Sequence, residues 1–149
     1  MKLGKTELLK VILDGIIAGL VLTIFFKVIQ FTTGYKVYTL LLNIDYIPVL
    51  KHFKFPEVIE VAFHLVVSVV LMIILVVFIH QLNTRSTTRI IVICISINLV
   101  IGALYFPTTT LSERTPSITS FPSIGYWLLG HTLYGYILGI FIKNRHLTR

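Results

Sequence analysis

Charged residues and cysteine are scarce in this sequence, and each scarcity excludes a class of protein. Only 13% of the 149 residues are Asp, Glu, Lys or Arg, whereas soluble domains carry about 25% charged residues. A chain with so little charge and 56% hydrophobic residues cannot cover itself with polar surface, and a lipid bilayer is its natural solvent. The single cysteine, Cys94, excludes an internal disulfide, and we interpret it as a small buried hydrophobic residue.

Four apolar segments are long enough to cross a bilayer, which requires roughly 20 predominantly apolar residues. Since no long hydrophilic linker separates them, we predict one all-α integral membrane domain, residues 1–149, in which four transmembrane helices form a bundle. An open sheet is excluded because lipid-exposed backbone must bond within its own helix or in a closed barrel, and the alternation that a barrel needs is missing. The predicted spans are about 11–31, 58–79, 89–106 and 123–142.

The connection between the first two spans is unusually apolar for a loop. Its central part, YTLLLNIDYIPVL (38–50), is rich in Leu, Ile and Tyr. Such a segment suits a short helix that lies in the membrane interface and is broken at Pro48. An ordered loop packed over the bundle is the alternative.

Basic residues cluster at the ends of the spans, so the positive-inside rule applies. With eight bases on one side and four on the other, both termini are predicted to be cytoplasmic. Bases at span ends do not make a nucleic-acid-binding face, so we expect the bilayer as a partner and no nucleic acid. The eight are Lys2, Lys5, Lys10, Arg85, Arg89, Lys143, Arg145 and Arg149; the four are Lys36, Lys51, Lys54 and Arg114.

The second span begins with a polar stripe. At 100° per residue, Glu57, Glu60, His64 and Ser68 fall on one helix face. Glu60 and His64 are four residues apart and could contact each other. Ionisable side chains within a membrane usually face the bundle interior, where they find partners. We therefore predict a polar pocket in the outer half of the bundle, with the candidate residues Lys27, Glu57, Glu60, His64, Ser68, Asn98, Tyr105 and His131.

A purely structural interpretation of these residues is also open. Lys27 would extend to the outer headgroups, and both histidines would be neutral and hydrogen-bonded. Asp14 lies about 20 Å along the first span from Lys27, which excludes it from the pocket. We expect Asp14 to pair with Lys10.

Metal binding and catalysis are weaker interpretations. Glu60, His64 and His131 make a ligand set suited to zinc or iron, and two histidines on separate helices could ligate a haem. No HExxH motif or cysteine pair accompanies them, so we predict no cofactor. Ser68 has His64 one turn away, but no motif builds an oxyanion hole, and the sequence leans away from an enzyme.

Two GxxxG motifs predict close helix packing, because small residues let helix backbones approach in lipid. The first motif is Gly15 and Gly19 in span one, and the second is Gly135 and Gly139 in span four. We expect spans one and four to pack on each other. A homodimer face is the alternative.

Three motifs, taken in order, resemble the YagU-like family of small bacterial inner-membrane proteins. They are FHLVVS (63–68), a Phe-Pro at 106–107 with a Thr-Pro at 115–116, and LLGHTLYGYILGIFIKNR (128–145). The resemblance covers about residues 60–145. It implies a multi-pass protein of the bacterial cytoplasmic membrane and adds weight to His64, Ser68, Gly130 and His131, but it implies no particular substrate.

Two functions of different classes follow from the sequence. The first is a proton- or ion-linked membrane activity, in which Glu60 and His64 form a titratable pair, His131 is a second relay point and Lys27 is a counter-charge. The second is an accessory or scaffold subunit that binds another membrane protein. The short chain without an evident soluble domain favours this alternative.

Overall fold

The regular structure of the chain is helical in every part that the computed structural model describes, residues 4–47, 49, 50, 53 and 55–146. Its elements in chain order are the α-helices α1 (Lys5–Thr33), α2 (Val37–Leu42), α3 (Glu57–Gln81), α4 (Thr87–Tyr105) and α5 (Phe121–His146), with a 3₁₀ helix (Phe106–Leu111) directly after α4.

Three of these helices are long and apolar enough to cross a membrane. They are α1, α3, and α4 together with its 3₁₀ extension. The predicted spans at these three places are confirmed as helices of membrane-spanning length. The fourth predicted span lies within α5, whose 26 residues extend about 39 Å at 1.5 Å per residue. Gly, Ser, Thr, Tyr and His interrupt its apolar sequence, and its crossing of the membrane stays a prediction.

Local signals in the sequence explain where the helices begin and end. Gly34 ends α1 in the left-handed conformation, with a φ of 77°, and donates its N–H to the carbonyl of Gln30. Ser86 caps the start of α4 with its side-chain oxygen. Pro122 lies in the first turn of α5, where its missing N–H costs nothing, so this helix begins two residues before the predicted span.

The four long helices pack as two pairs. Helix α1 packs along α3, helix α5 packs along α4, and α1 and α5 join the pairs in the centre. Phe26 of α1 fits against Gly130 of α5, where any larger side chain would overlap its ring. Spans one and four therefore do contact each other.

The first GxxxG motif packs α1 against α3. A Cβ added at Gly15 would lie 2.8 Å from the Cα of Val69, and one at Gly19 would lie 2.8 Å from the Oγ of Ser68. Both distances are shorter than real contacts, so only glycine permits this spacing.

The second GxxxG motif packs α5 against α4. A Cβ at Gly135 would lie 2.8 Å from the carbonyl oxygen of Cys94, and one at Gly139 would lie 2.9 Å from the Cα of Ile91. Our expectation that the motifs pack spans one and four on each other is wrong in this respect. Each motif packs two consecutive long helices against each other, α1 with α3 and α4 with α5.

An ion pair joins the ends of spans one and four that are predicted to be cytoplasmic. Our expectation for the partner of Asp14 is wrong. Asp14 accepts a hydrogen bond from the Nε of Arg145 at 2.8 Å and does not pair with Lys10. Lys10 instead lies 3.6 Å from Glu7. Asp14 pairs with Arg145 because the end of α5 lies beside the start of α1. Residue spacing within α1 alone could not predict this neighbour.

The connection between α1 and α3 contains the expected short helix. Helix α2 buries Val37, Leu40 and Leu42 and contacts α1, α3 and α5, so this part of the connection packs over the long helices. Whether it also lies in the membrane interface stays a prediction. Pro48, its expected break, and the basic residues Lys2, Lys51, Lys54 and Arg149 lie outside the described residues.

A pair of matched substitutions on α5 tests the glycine packing. Gly135→Ala places a methyl group against the backbone of α4, and we expect it to lower the free energy of unfolding by about 1–3 kcal/mol. Gly125→Ala makes the same change at a site with no atom within 4 Å of the new Cβ, and helix propensity should raise stability by up to about 1 kcal/mol. Thermal unfolding in mild detergent measures both. Equal melting temperatures would contradict the packing.

Candidate functional site

A cavity of about 270 Å³ lies between α3 and α4. Residues of α1, α5 and the segment 41–50 complete its lining. Most of the wall is aliphatic or aromatic, and the polar groups are few. The lining residues are Leu22, Leu41, Leu42, Asn43, Ile44, Tyr46, Ile47, Leu50, Glu60, Phe63, His64, Val66, Val67, Ser68, Leu71, Asn98, Ile101, Tyr105, Trp127, His131 and Tyr134.

The structure brings six of the eight predicted pocket residues to this cavity. They come from α3, α4 and α5, so three of the four stripe residues, Glu60, His64 and Ser68, face the other helices. The six are Glu60, His64, Ser68, Asn98, Tyr105 and His131, whereas Lys27 and Glu57 are not among the lining residues.

Glu60 is held by an arginine that sequence reasoning did not assign to the pocket. Arg114 donates to both carboxylate oxygens of Glu60, at 3.1 and 3.4 Å. Glu60 is buried, with 6% of its surface exposed, so this pairing satisfies a charge that would otherwise be expensive to bury. The hydrogen bonds to Glu60 raise the pKa of Arg114 above its ordinary value. Arg114 therefore stays charged at the end of the cavity.

The two loops on this side of the helices are tied together above the cavity. Ser112 donates a short hydrogen bond to Asp45, and Arg114 lies 4.0 Å from the same carboxylate. The hydroxyl of Tyr105 donates to the carbonyl oxygen of Asn43 at 2.9 Å. Together with the Glu60–Arg114 pair, these contacts form a roof over the start of α3 and the end of α4.

His64 and Ser68 bind backbone carbonyls of the first GxxxG motif rather than other residues of the predicted pocket. The Nε2 of His64 lies 3.3 Å from the carbonyl oxygen of Gly19, so in its neutral form it donates from Nε2 and leaves Nδ1 unprotonated. Ser68 donates to the carbonyl oxygen of Gly15 at 2.6 Å. Since Ser68 has one proton, the hydroxyl of Tyr134, 2.6 Å away, donates to it. The predicted contact between Glu60 and His64 is thus replaced by separate partners for each.

His131 is fixed on α5 by its own helix and by aromatic rings. Its Nδ1 lies 3.0 Å from the carbonyl oxygen of Trp127, so the neutral ring donates there and leaves Nε2 unprotonated. The Trp127 ring, 4.5 Å away between centroids, is itself fixed by a hydrogen bond from its Nε1 to the carbonyl of Gly102. A stack of Phe26, Trp127 and Tyr105 continues across the helices. The two histidines therefore bind separate carbonyls.

Lys27 and Glu57 form a separate ion pair. The Nζ of Lys27 lies 2.6 Å from the Oε1 of Glu57, and both side chains are more than half exposed. Tyr38 donates to the same oxygen at 2.6 Å, and burial, followed by this hydrogen bond, raises the pKa of its phenol. An exposed pair of this kind contributes about 0–1 kcal/mol. Lys27 is therefore the counter-charge of Glu57, away from the cavity lining, and Arg114 is the counter-charge of Glu60.

Two asparagines that line the cavity each have one side-chain atom without a partner among the described residues. Asn98 donates from Nδ2 to the carbonyl of Cys94 at 2.8 Å, which leaves its Oδ1 unpaired. Asn43 accepts from the N–H of Asp45 at its Oδ1, which leaves its Nδ2 unpaired. Because a carbonyl only accepts and an N–H only donates, these bonds fix the orientation of both amides. Each asparagine is at most 1% exposed.

Across the part of the chain that the structure describes, no three His, Cys, Asp or Glu side chains form a group that could hold a metal ion. Glu60, His64 and His131 therefore do not assemble the ligand set considered from the sequence. The reason is visible in their partners, since Arg114 engages the carboxylate and backbone carbonyls engage both imidazoles.

Several residues at the site were missed by sequence reasoning. Arg114 had a usable signal, because it is the only base in an otherwise hydroxyl-rich loop on the same predicted side as Glu60. Tyr134 lies three residues from His131 and so shares its helix face. Asn43 is a single amide within an apolar loop, and nothing in its local sequence predicts its burial.

Comparison of the chain with models of known protein families, with curated proteins and with solved structures found no match.

The Glu60–Arg114 pair can be tested by removing one charge at a time. Arg114→Gln leaves a buried carboxylate without its ionic partner, and we expect it to lower the free energy of unfolding by about 1–3 kcal/mol. Adding Glu60→Gln should restore part of this loss, because the unpaired charge is then absent. Thermal unfolding of the single and double variants measures the coupling.

Lys36→Gln is the matched control, since it removes an exposed loop charge. It should leave stability unchanged within about 0.5 kcal/mol. If the double variant is no more stable than Arg114→Gln alone, the two residues are not coupled.

Proposed function

We propose that the protein crosses a bacterial cytoplasmic membrane four times as one helical bundle, with both termini in the cytoplasm. The length of α5 and its packing along α4 and α1 support a fourth span. The excess of bases near the two chain ends and in the α3–α4 connection supports the orientation. The resemblance to YagU-like proteins supports the bacterial membrane.

Within this arrangement we propose a proton-linked activity located at the cavity between α3 and α4. One observation carries the proposal: Glu60 and His64 of α3 and His131 of α5 line the same cavity. Titratable side chains within membrane-spanning helices are rare and usually mark a proton or ion path. Here three of them line one cavity.

The hydrogen bonds of the two histidines suit proton exchange. Each imidazole donates to a backbone carbonyl with one nitrogen and keeps the other nitrogen as a proton acceptor. The Glu60–Arg114 pair is neutral as a whole, so protonation of either histidine adds a net positive charge to the cavity. In a medium of low polarity, such a charge interacts strongly with its surroundings. Protonation could therefore drive a change in what the cavity holds.

The accessory-subunit interpretation stays a prediction. A stoichiometric partner recovered in mild detergent would favour it.

Substitution of the cavity histidines tests the proton link. We expect His64→Gln and His131→Gln, singly and together, to alter the growth of producing cells and their internal pH across an acid series. The double variant should differ most from the unchanged protein. Glutamine keeps a hydrogen-bond donor for the carbonyl but cannot take up a proton near neutral pH.

His80→Gln is the matched control, because His80 lies at the opposite end of α3 from the cavity. It should behave as the unchanged protein does. All variants are first compared by thermal unfolding, so that loss of fold is separated from loss of function. If folded His64→Gln, His131→Gln and the double variant all match the unchanged protein, the proton link is wrong.

A further inference from the structure

The cavity opens sideways, between two membrane helices. Val66 and Val67 of α3 line it and are each 61% exposed, and Ile101 of α4 lines it and is 37% exposed. All three lie in the middle of long apolar helices, where the surroundings are acyl chains if α3 and α4 span the membrane. The roof formed by the two loops lies at one end of these helices. A molecule dissolved in the bilayer could therefore enter through the side.

The polar groups of the cavity suit the uncharged headgroup of a lipid. Among the described residues, the Oδ1 of Asn98 has no donor and the Nδ2 of Asn43 has no acceptor. A hydroxyl group is both. Unpaired polar atoms buried to this degree are unfavourable, and a ligand that pairs them would bind more tightly than a purely apolar one.

Charge and volume narrow the class of ligand. Among the described lining residues, Glu60 is the one Asp, Glu, Lys or Arg, and Arg114 neutralises it, so these residues offer no unpaired charge to an ionic head. Its volume of about 270 Å³ is just below the roughly 300–1,000 Å³ of typical ligand sites. A small head and the first part of one chain fit such a space, whereas the phosphate-bearing head and two chains of a phospholipid do not.

We propose that this cavity binds a neutral single-chain lipid with a hydroxyl-bearing head. The head lies between Asn43 and Asn98, and the chain leaves between α3 and α4 past Val67. The proposal rests on the proposed membrane-spanning arrangement of these helices, and it does not require proton exchange by the histidines.

The fluorescence of a tryptophan in the chain can report binding at this site. Trp127 is the single tryptophan of the chain, is 1% exposed and lines the cavity. A monoacylglycerol brominated on its chain, added to the full-length protein in phosphatidylcholine nanodiscs, should quench Trp127 fluorescence with a saturable dependence on concentration. Phosphatidylcholine brominated to the same bromine content should give weaker quenching that does not saturate.

Two variants test where the head and the chain lie. Asn98→Leu keeps the size of the side chain but removes the acceptor, and the half-quenching concentration should rise about tenfold, as expected for one lost hydrogen bond of about 1.4 kcal/mol. Val67→Phe narrows the side opening and should weaken saturable quenching. Val70→Phe is its matched control, since Val70 is also exposed on α3 but does not line the cavity.

A brominated fatty acid methyl ester, which has no hydroxyl donor, should bind about tenfold more weakly than the monoacylglycerol. Equal quenching by the ester and the monoacylglycerol would overturn head recognition, and so would an unchanged Asn98→Leu variant. Equal, non-saturating quenching by monoacylglycerol and phosphatidylcholine would overturn the site itself, as would equal effects of the two phenylalanine variants. Because His64→Gln and His131→Gln keep both asparagines, a failed proton link and a failed lipid site give different results.

Discussion

Close contact between helix backbones at glycines is the constraint on which this structure depends. Lipid removes the hydrophobic drive that joins helices in water, so packing must come from surfaces that fit closely. Gly15 and Gly19 bring α3 onto α1, and Gly135 and Gly139 bring α4 onto α5. With each outer helix held by its own partner, α3 and α4 face each other across an unfilled space. The cavity is a consequence of this pairing.

The same close approach supplies the polar partners of the site. Two helices separated by glycine expose backbone carbonyls to the neighbouring helix, and side chains of that helix can reach them. Ser68 donates to Gly15, His64 lies within reach of Gly19, and Trp127 donates to Gly102. Polar residues that would be unfavourable in lipid are thereby satisfied without polar partners on the lipid face. The same glycine contacts therefore determine both the helix packing and the hydrogen-bond partners of the polar side chains.

The end of the cavity beside the two loops is organised differently, by charge. Glu60 begins a long apolar helix, and its carboxylate is paired by Arg114 from a distant loop. Asp45 from the other loop lies near the same guanidinium. A residue 54 positions away in the chain thus neutralises the acid. Among the described residues, the deeper part of the cavity carries only uncharged hydrogen-bonding groups and two imidazoles, which is why a neutral lipid suits it.

The sequence by itself determined the helical class, the three apolar spans and the shared helix face of Glu60, His64 and Ser68, because length, hydropathy and helical period are local properties. It also marked most of the cavity residues, since buried polar side chains are conspicuous in an apolar chain. Only the tertiary structure decided that Arg114 neutralises Glu60, that Asp14 pairs with Arg145, and that Lys27 lies outside the cavity. These pairings depend on which helices are neighbours. Glycine contacts between helices determine the neighbours, and residue spacing along one helix cannot show them.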